Sequence, residues 1–265
     1  MNWQVYFQAL GAMLLLGSAA WLYSVWRRDV SIVDSLWSLF FLLAALIFAA
    51  TAPEPGARGL LLLVLVMLWS IRLSAYITLR NWGHPEDYRY QAIRANNEPR
   101  FWLKSWYIVF GLQAVLAWII CLPLLPAISV PAAPGWLDAV ALVLFLTGFV
   151  FETGGDYQLA RFKADGNNKG RVLDSGLWRY TRHPNYFGEF CISWAFYLFA
   201  VASGAWWSIV SPLLMTFLLL RVSGVAMLEK TISERRPDYV RYIARTNAFF
   251  PGPRRAVSDP IGAKQ

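Results

Sequence analysis

Gly59-Leu-Leu-Leu-Leu-Val-Leu-Val-Met-Leu-Trp-Ser-Ile-Arg-Leu-Ser-Ala-Tyr-Ile-Thr-Leu79 is an unbroken apolar run that carries one charge, Arg72. A helix crossing a bilayer needs roughly 20 such residues, so the segment reads as a membrane span. The same pattern recurs outward in both directions. Trp3–Trp26 has no charge, Val30–Ala50 has only Asp34, Ser105–Ala127 has none, and Trp136–Glu152 forms a shorter run. Phe190–Leu220 is charge-free and too long for one helix. It divides at Ala202-Ser203-Gly204 into Tyr186–Val201 and Trp206–Leu228. The expected fold is an all-α polytopic transmembrane bundle of about seven spans, a single membrane domain over residues 1–265. Within it residues 1–104 and 105–265 form two halves, the second carrying the long loop at 153–185.

Composition agrees. Of the 265 residues 57% are hydrophobic and only 15% charged, against about 25% charged in a soluble domain. That excludes a soluble enzyme, a disordered chain and a collagen-like protein. Cys121 and Cys191 lie inside apolar runs, so neither a disulfide framework nor a metal-ligand set is expected. With only His84 and His183, histidine-rich di-metal hydroxylases are excluded by ligand count. No basic residue precedes the first run, so Met1–Trp26 reads as a permanent helix rather than a leader.

Of the 24 Lys and Arg residues, 21 fall in alternate gaps: Arg27 and Arg28, Arg80 to Lys104, Arg161 to Arg182, and Lys230 onward. Arg58 stands alone in the opposite gaps, and Arg72 and Arg221 lie within spans. The positive-inside rule then puts the amino terminus outside and the carboxyl terminus in the cytosol. The net charge of +8 is therefore a mark of topology and not of nucleic acid. It also suits an anionic cofactor or membrane lipid headgroups. The external loops are short, there is no internal repeat, and no retrieval signal is evident. A bacterial inner membrane enzyme with its site facing the cytosol fits these features better than an inverted-repeat transporter.

Ionisable residues at membrane depth cost several kcal/mol and mark function by default. Asp34, Arg72, Glu152, Glu189, Arg221 and Glu229 qualify, all toward the cytosolic ends of their spans. They read as the lining of one polar cavity, the alternative being pairs that only fix packing. The densest set is Asp174-Ser-Gly-Leu-Trp-Arg-Tyr-Thr-Arg-His-Pro-Asn-Tyr-Phe-Gly-Glu189. Pro184 suits the first turn of a helix, and the residue before a proline avoids helical dihedrals, so His183 precedes that helix. Arg182, His183 and unpaired N–H groups at a positive helix end suit phosphate, the alternative being anchors at the headgroups. Asn185 and Glu189, four apart, share a face, as do Glu152 and Asp156, and Arg72 and Tyr76.

Lys163 follows, then Asp165-Gly-Asn-Asn168-Lys-Gly-Arg171, a turn-rich loop that either reaches ribose and phosphate or only connects. Glu86–Tyr90 is either a site loop or a headgroup-binding one. Tyr239, Arg241, Tyr242 and Arg245 read as an interfacial amphipathic stretch. There is no G-x-G-x-x-G or Walker motif, and no soluble stretch long enough for a dinucleotide-binding domain.

Gly-Asp-Tyr-Gln (155–158), the Asn168–Gly170 turn and the 176–189 segment resemble the steroid 5-alpha reductase superfamily, in particular a bacterial branch of uncharacterised membrane proteins. Ser31-Ile-Val-Asp-Ser-Leu-Trp37, Glu86-Asp-Tyr-Arg-Tyr90 and Glu234-Arg-Arg-Pro-Asp-Tyr-Val-Arg-Tyr242 are similar to that branch too. Arg-His-Pro-x-Tyr-x-Gly is shared with sterol reductases and isoprenylcysteine carboxyl methyltransferases. The resemblance implies seven helices, with residues 1–104 on the substrate side and residues 105–265, including the cytosolic loop 153–185, as the half that binds NADPH, and with Asp156, Lys163, Arg171, Tyr180, Asn185, Glu189 and Arg221 at cofactor contacts. The implied reaction reduces a carbon–carbon double bond in an enone, a steroid or another lipid. The superfamily's Gln-Glu pair and third-helix Tyr are replaced by Asp34-Ser35 and Trp69, leaving Asp34 as the catalytic acid with Arg72 or Tyr76 assisting. Val225 and Glu229 stand where a late His and Tyr are expected, and Glu229 resembles the methyltransferase pattern. S-adenosylmethionine-dependent methylation of a lipid or prenylated thiol is therefore the alternative.

Overall fold

A computed structural model describes residues 2–222 and 238–256. Among these residues the secondary structure is helical throughout, with no strand. Helices α1 (Trp3–Arg27), α2 (Ile32–Thr51), α3 (Ala57–Asn81), α5 (Phe101–Ile120) and α7 (Trp136–Ala164) are the five that are long and apolar enough to cross a membrane. A short α4 (Tyr88–Asn96) precedes α5, and α6 (Leu124–Ser129) follows it. The chain continues as α8 (Pro184–Ala202), α9 (Trp206–Val222) and α10 (Asp238–Arg245).

The differences from the expected spans have local causes. The run Ser105–Ala127 is cut at Cys121–Pro123, because proline cannot supply the N–H a continuing helix needs. The α7 helix runs well past Glu152 to Ala164. At 1.5 Å per residue it is about 43 Å long, against a hydrocarbon layer of about 30 Å. Its charged end therefore projects beyond the apolar layer as helix rather than loop.

The chain forms two compact units, one of Met1–Ala139 with Phe196–Ser211 and one of Val140–Ala195 with Pro212–Gln265. In the first unit α2 is central and packs against α1, α3, α5 and α6. Its Phe40, Phe41, Ala44, Ala45 and Phe48 are fully buried. Trp69 of α3 meets Phe41 edge-on at 5.3 Å. Exposed tryptophans sit at both ends of this unit's helices, Trp3, Trp136 and Trp206 at one and Trp26, Trp82 and Trp102 at the other. Such rings prefer the two membrane interfaces.

Arg58, expected in an external loop, is instead in the first turn of α3 and only 4% exposed. Its Nε and Nη2 donate to the two carboxylate oxygens of Asp138 at 2.6 and 2.9 Å. Its Nη1 donates to Ser203 Oγ (3.1 Å), and Gly135 N donates to Asp138 Oδ2 (2.6 Å). This buried fork fastens the starts of α3 and α7 to the end of α8.

Candidate functional site

The first unit collects polar groups at the start of α2. Asp34 accepts from Tyr90 Oη (2.5 Å) on one oxygen and from Arg89 Nη2 (2.6 Å) on the other. Arg89 also grips Asp87 through Nε at 2.9 Å. Glu86 accepts from Val30 N (2.9 Å) and from both arms of Arg94 (2.8 and 3.0 Å). Two segments far apart in sequence, Ser31–Trp37 and Glu86–Tyr90, thus bind each other. The Tyr90 ring is buried with Val33, Phe101 and Phe110, which anchors the loop while its hydroxyl reaches Asp34. Ser38 Oγ donates to Ser70 O (2.9 Å). This sets the antiparallel register of α2 and α3, and puts Asp34 level with the turn of α3 between Arg72 and Tyr76.

Burial works against ionising Asp87, but the hydrogen bonds and charge of Arg89 outweigh it and hold the carboxyl below the usual carboxylate range. Burial, then the neighbouring Asp34 charge, push the Tyr90 phenol far up, so it stays a donor. Since the folded-state value of Asp87 is depressed, its contribution is present above about pH 4, the unfolded carboxyl value. It is lost as pH falls through the folded value. Hydrogen exchange of residues 86–94 is expected to quicken on acidification below about pH 4, and Asp87→Asn is expected to remove most of that dependence.

In the second unit α7 and α8 cross through glycines. A Cβ on Gly188 would lie 2.5 Å from Gly148 O and 2.7 Å from Glu152 Cβ, and one on Gly155 would lie 3.0 Å from Pro184 Cγ. Only backbone fits there. Glu152 is consequently buried at the crossing, and Asp156, one turn on, is 5% exposed. Asn185 Nδ2 approaches Asp156 Oδ1 at 3.4 Å. Asn185 of the second expected pair thus meets the Glu152/Asp156 pair at the crossing, with Glu189 one turn further along α8.

The helix α8 begins at Pro184, with His183 before it. Its end is closed by the chain itself. Thr181 Oγ1 accepts from His183 N (3.3 Å) and donates to Phe249 O (2.8 Å). Arg182 is buried, and its Nη1 donates to the carbonyls of Ile243 and Thr246 at the end of α10. Tyr242 Oη donates to Trp178 O (2.5 Å), and Gly252 N donates to Tyr180 O (3.0 Å). Tyr239 and Tyr242, expected at an interface, are turned inward. Gln158 Oε1 accepts from Leu177 N (2.9 Å), and Gly176, at φ +60°, leaves room for that side chain. Arg89, Tyr90, Gln158 and Tyr242 were legible only as members of motifs, because their partners lie 19 to 64 residues away.

The remaining expected residues are at the surface of this unit. Lys163, Arg171, Tyr180 and Arg221 are exposed. Asn168 Nδ2 donates to Phe162 O (3.1 Å), closing the last turn of α7. Glu229 lies outside the described residues.

The family model described as "Protein of unknown function (DUF1295)" matches residues 20–246. An uncharacterized protein of Schizosaccharomyces pombe is 30% identical over 272 aligned residues, covering 89% of this chain and 77% of that one. The match spans the buried Asp34 network, the glycine crossing and the clasped start of α8 alike. The chain therefore belongs to the DUF1295 family, itself part of the steroid 5-alpha reductase-like group.

Proposed function

We propose that this membrane protein is an NADPH-dependent reductase of a carbon–carbon double bond in an enone or related lipid. The observation that carries the reading is the gathering of Glu152, Asp156 and Asn185 at one crossing of apolar helices, where charges are expensive. NADPH would supply a hydride there. The residues present fit it. Exposed Lys163 and Arg171 suit its phosphates, and the carboxylates of Asp156 and Glu189 suit ribose hydroxyls as acceptors. On the substrate side Arg89 and Tyr90 keep Asp34 fixed as an acceptor. Arg72 and Tyr76, at the same level of α3, are the groups to polarise a carbonyl. In this reading the loops around 82–100 and 165–183 face the cytosol, the amino terminus lies opposite, and the membrane is a bacterial inner membrane.

One observation favours a second reading. The crossing is rich in carboxylates, which also suit the sulfonium of S-adenosylmethionine in a methyltransferase. Thermal-shift titration of the purified protein in detergent separates the two. NADPH is expected to stabilise it at lower concentration than NADH does. Arg171→Ala is expected to weaken NADPH about tenfold, the loss of one charge-assisted hydrogen bond. Stabilisation by S-adenosylmethionine with none by NADPH overturns the reductase reading.

A further inference from the structure

Three indoles hold α1 against α5. Trp118 Nε1 donates to Tyr6 O (2.9 Å), Trp106 Nε1 to Ser18 Oγ (3.0 Å) and Trp21 Nε1 to Trp102 O (2.7 Å). These pairs fix an antiparallel register over the length of both helices. Along α1, Trp3 and Trp26 lie about 35 Å apart, close to the thickness of the hydrocarbon layer. Trp26 and Trp102, both exposed, therefore mark one membrane interface. The register puts Arg100 about level with Ser24, and Arg27 and Arg28 follow about one turn further out.

At that end arginine stands where the backbone favours other residues. Arg28 caps the end of α1 at φ 55°, and Arg100 precedes α5 at φ 66°. Among the described residues these are the non-glycine positions in the left-handed region. A helix end of the first kind favours glycine, and a helix start favours Ser, Thr, Asp or Asn, whose oxygen caps an N–H. Arg100 makes no such cap bond. Left-handed backbone at a residue with a Cβ costs about 1–2 kcal/mol, and a charge kept at that cost points to a use for it. The two positions are neighbours. Arg94 Nη2 donates to Arg28 O (3.4 Å), while the same guanidinium lies over the Phe101 ring, 4.5 Å from its centre.

Arg94 itself is cancelled by Glu86 at 2.8 Å. Arg27, Arg28 and Arg100 are exposed and make no side-chain hydrogen bond or ion pair among the described residues. Lys104, one turn into α5, donates to Asn97 O (2.8 Å). Against these four cations stand Asp29, which accepts from Ser31 N (2.9 Å), and Glu98. The excess is cationic. Beneath it, Leu15, Leu22 and Val25 share a face of α1 with Ser18 and are exposed.

We propose that this end of the α1–α5 seam binds an anionic phospholipid of the surrounding bilayer. Arg28 and Arg100 take its phosphate, the indoles of Trp26 and Trp102 its ester region, and Leu22 and Leu15 the start of its chains. A zwitterionic headgroup also brings a phosphate, but its ammonium meets the same cations. The site lies within the first unit and does not depend on the reductase reading.

The test uses the full chain, stripped of lipid in a neutral detergent and titrated with dioleoyl phosphatidylglycerol or dioleoyl phosphatidylcholine. Thermal unfolding and native mass spectrometry follow binding. Phosphatidylglycerol is expected to raise the melting temperature and to stay bound, and phosphatidylcholine to do neither. Without lipid, Arg28→Gly/Arg100→Gly is expected to melt at or above the wild-type temperature, because glycine relieves both left-handed positions. Its affinity for phosphatidylglycerol is expected to fall about thirtyfold, the worth of two interfacial cations. Arg80→Gln/Arg241→Gln removes two exposed cations elsewhere and is expected to bind as the wild type does. Equal stabilisation by the two lipids, or equal weakening in that control, overturns the proposal. So does a lower melting temperature of the glycine variant without lipid, which would assign both arginines to the fold.

Discussion

Asp138→Ala is expected to lower the stability of the protein by about 3–5 kcal/mol, the usual penalty for removing one partner of a buried ion pair. The reason is the desolvated Arg58 left behind. Both carboxylate oxygens of Asp138 are occupied by its guanidinium, and the side chains of the two residues are 5% and 2% exposed. After the substitution the guanidinium keeps Ser203 Oγ and the long contact to Ala133 O, neither of which carries charge. The double variant Arg58→Leu/Asp138→Leu, which removes both charges, is expected to recover most of the loss. Thermal unfolding in detergent gives the comparison. A double variant as unstable as Asp138→Ala would mean that hydrogen bonds to the loops, rather than the stranded charge, carry the effect.

Gly188→Val is expected to cost at least about 1–3 kcal/mol, the range for overpacking a filled contact, and to impair the site as well. The Cβ alone would stand 2.5 Å from Glu152 N and from Gly148 O, both backbone atoms that a side-chain rotation cannot move. The helices must separate, and the separation takes Glu152 and Asp156 away from Asn185. Loss of melting temperature together with loss of NADPH stabilisation is the expected pair of results. As a control, Gly11→Val, with nothing within 4 Å of its Cβ, is expected to leave both unchanged.

Much of this was legible in single residues. Helix α8 starts at Pro184 because proline is tolerated where no N–H is needed, and the four-residue spacings gave the shared faces of Glu152/Asp156 and Asn185/Glu189. What the spacing could not give was the partner of each face. Asp34 read as a possible acid, and its hydrogen-bond partners Arg89 and Tyr90, 55 and 56 residues on, were out of reach of any local pattern. Arg58 read as a stray loop cation, because its partner lies 80 residues away. Arg182 read as open to phosphate, whereas it spends donors on the carbonyls at the end of α10.

The sequence by itself determined that the chain is a helical membrane protein, since apolar length and the lack of charge are local and additive along it. It also determined where α8 begins. Only the tertiary structure decided which charges meet a counter-charge and which helices touch. Those depend on how closely two helices approach, and at this crossing the approach is set by the missing side chains of Gly148, Gly155 and Gly188. A periodic pattern says which way a residue faces along its own helix; the distance to what it faces is a property of the packed pair.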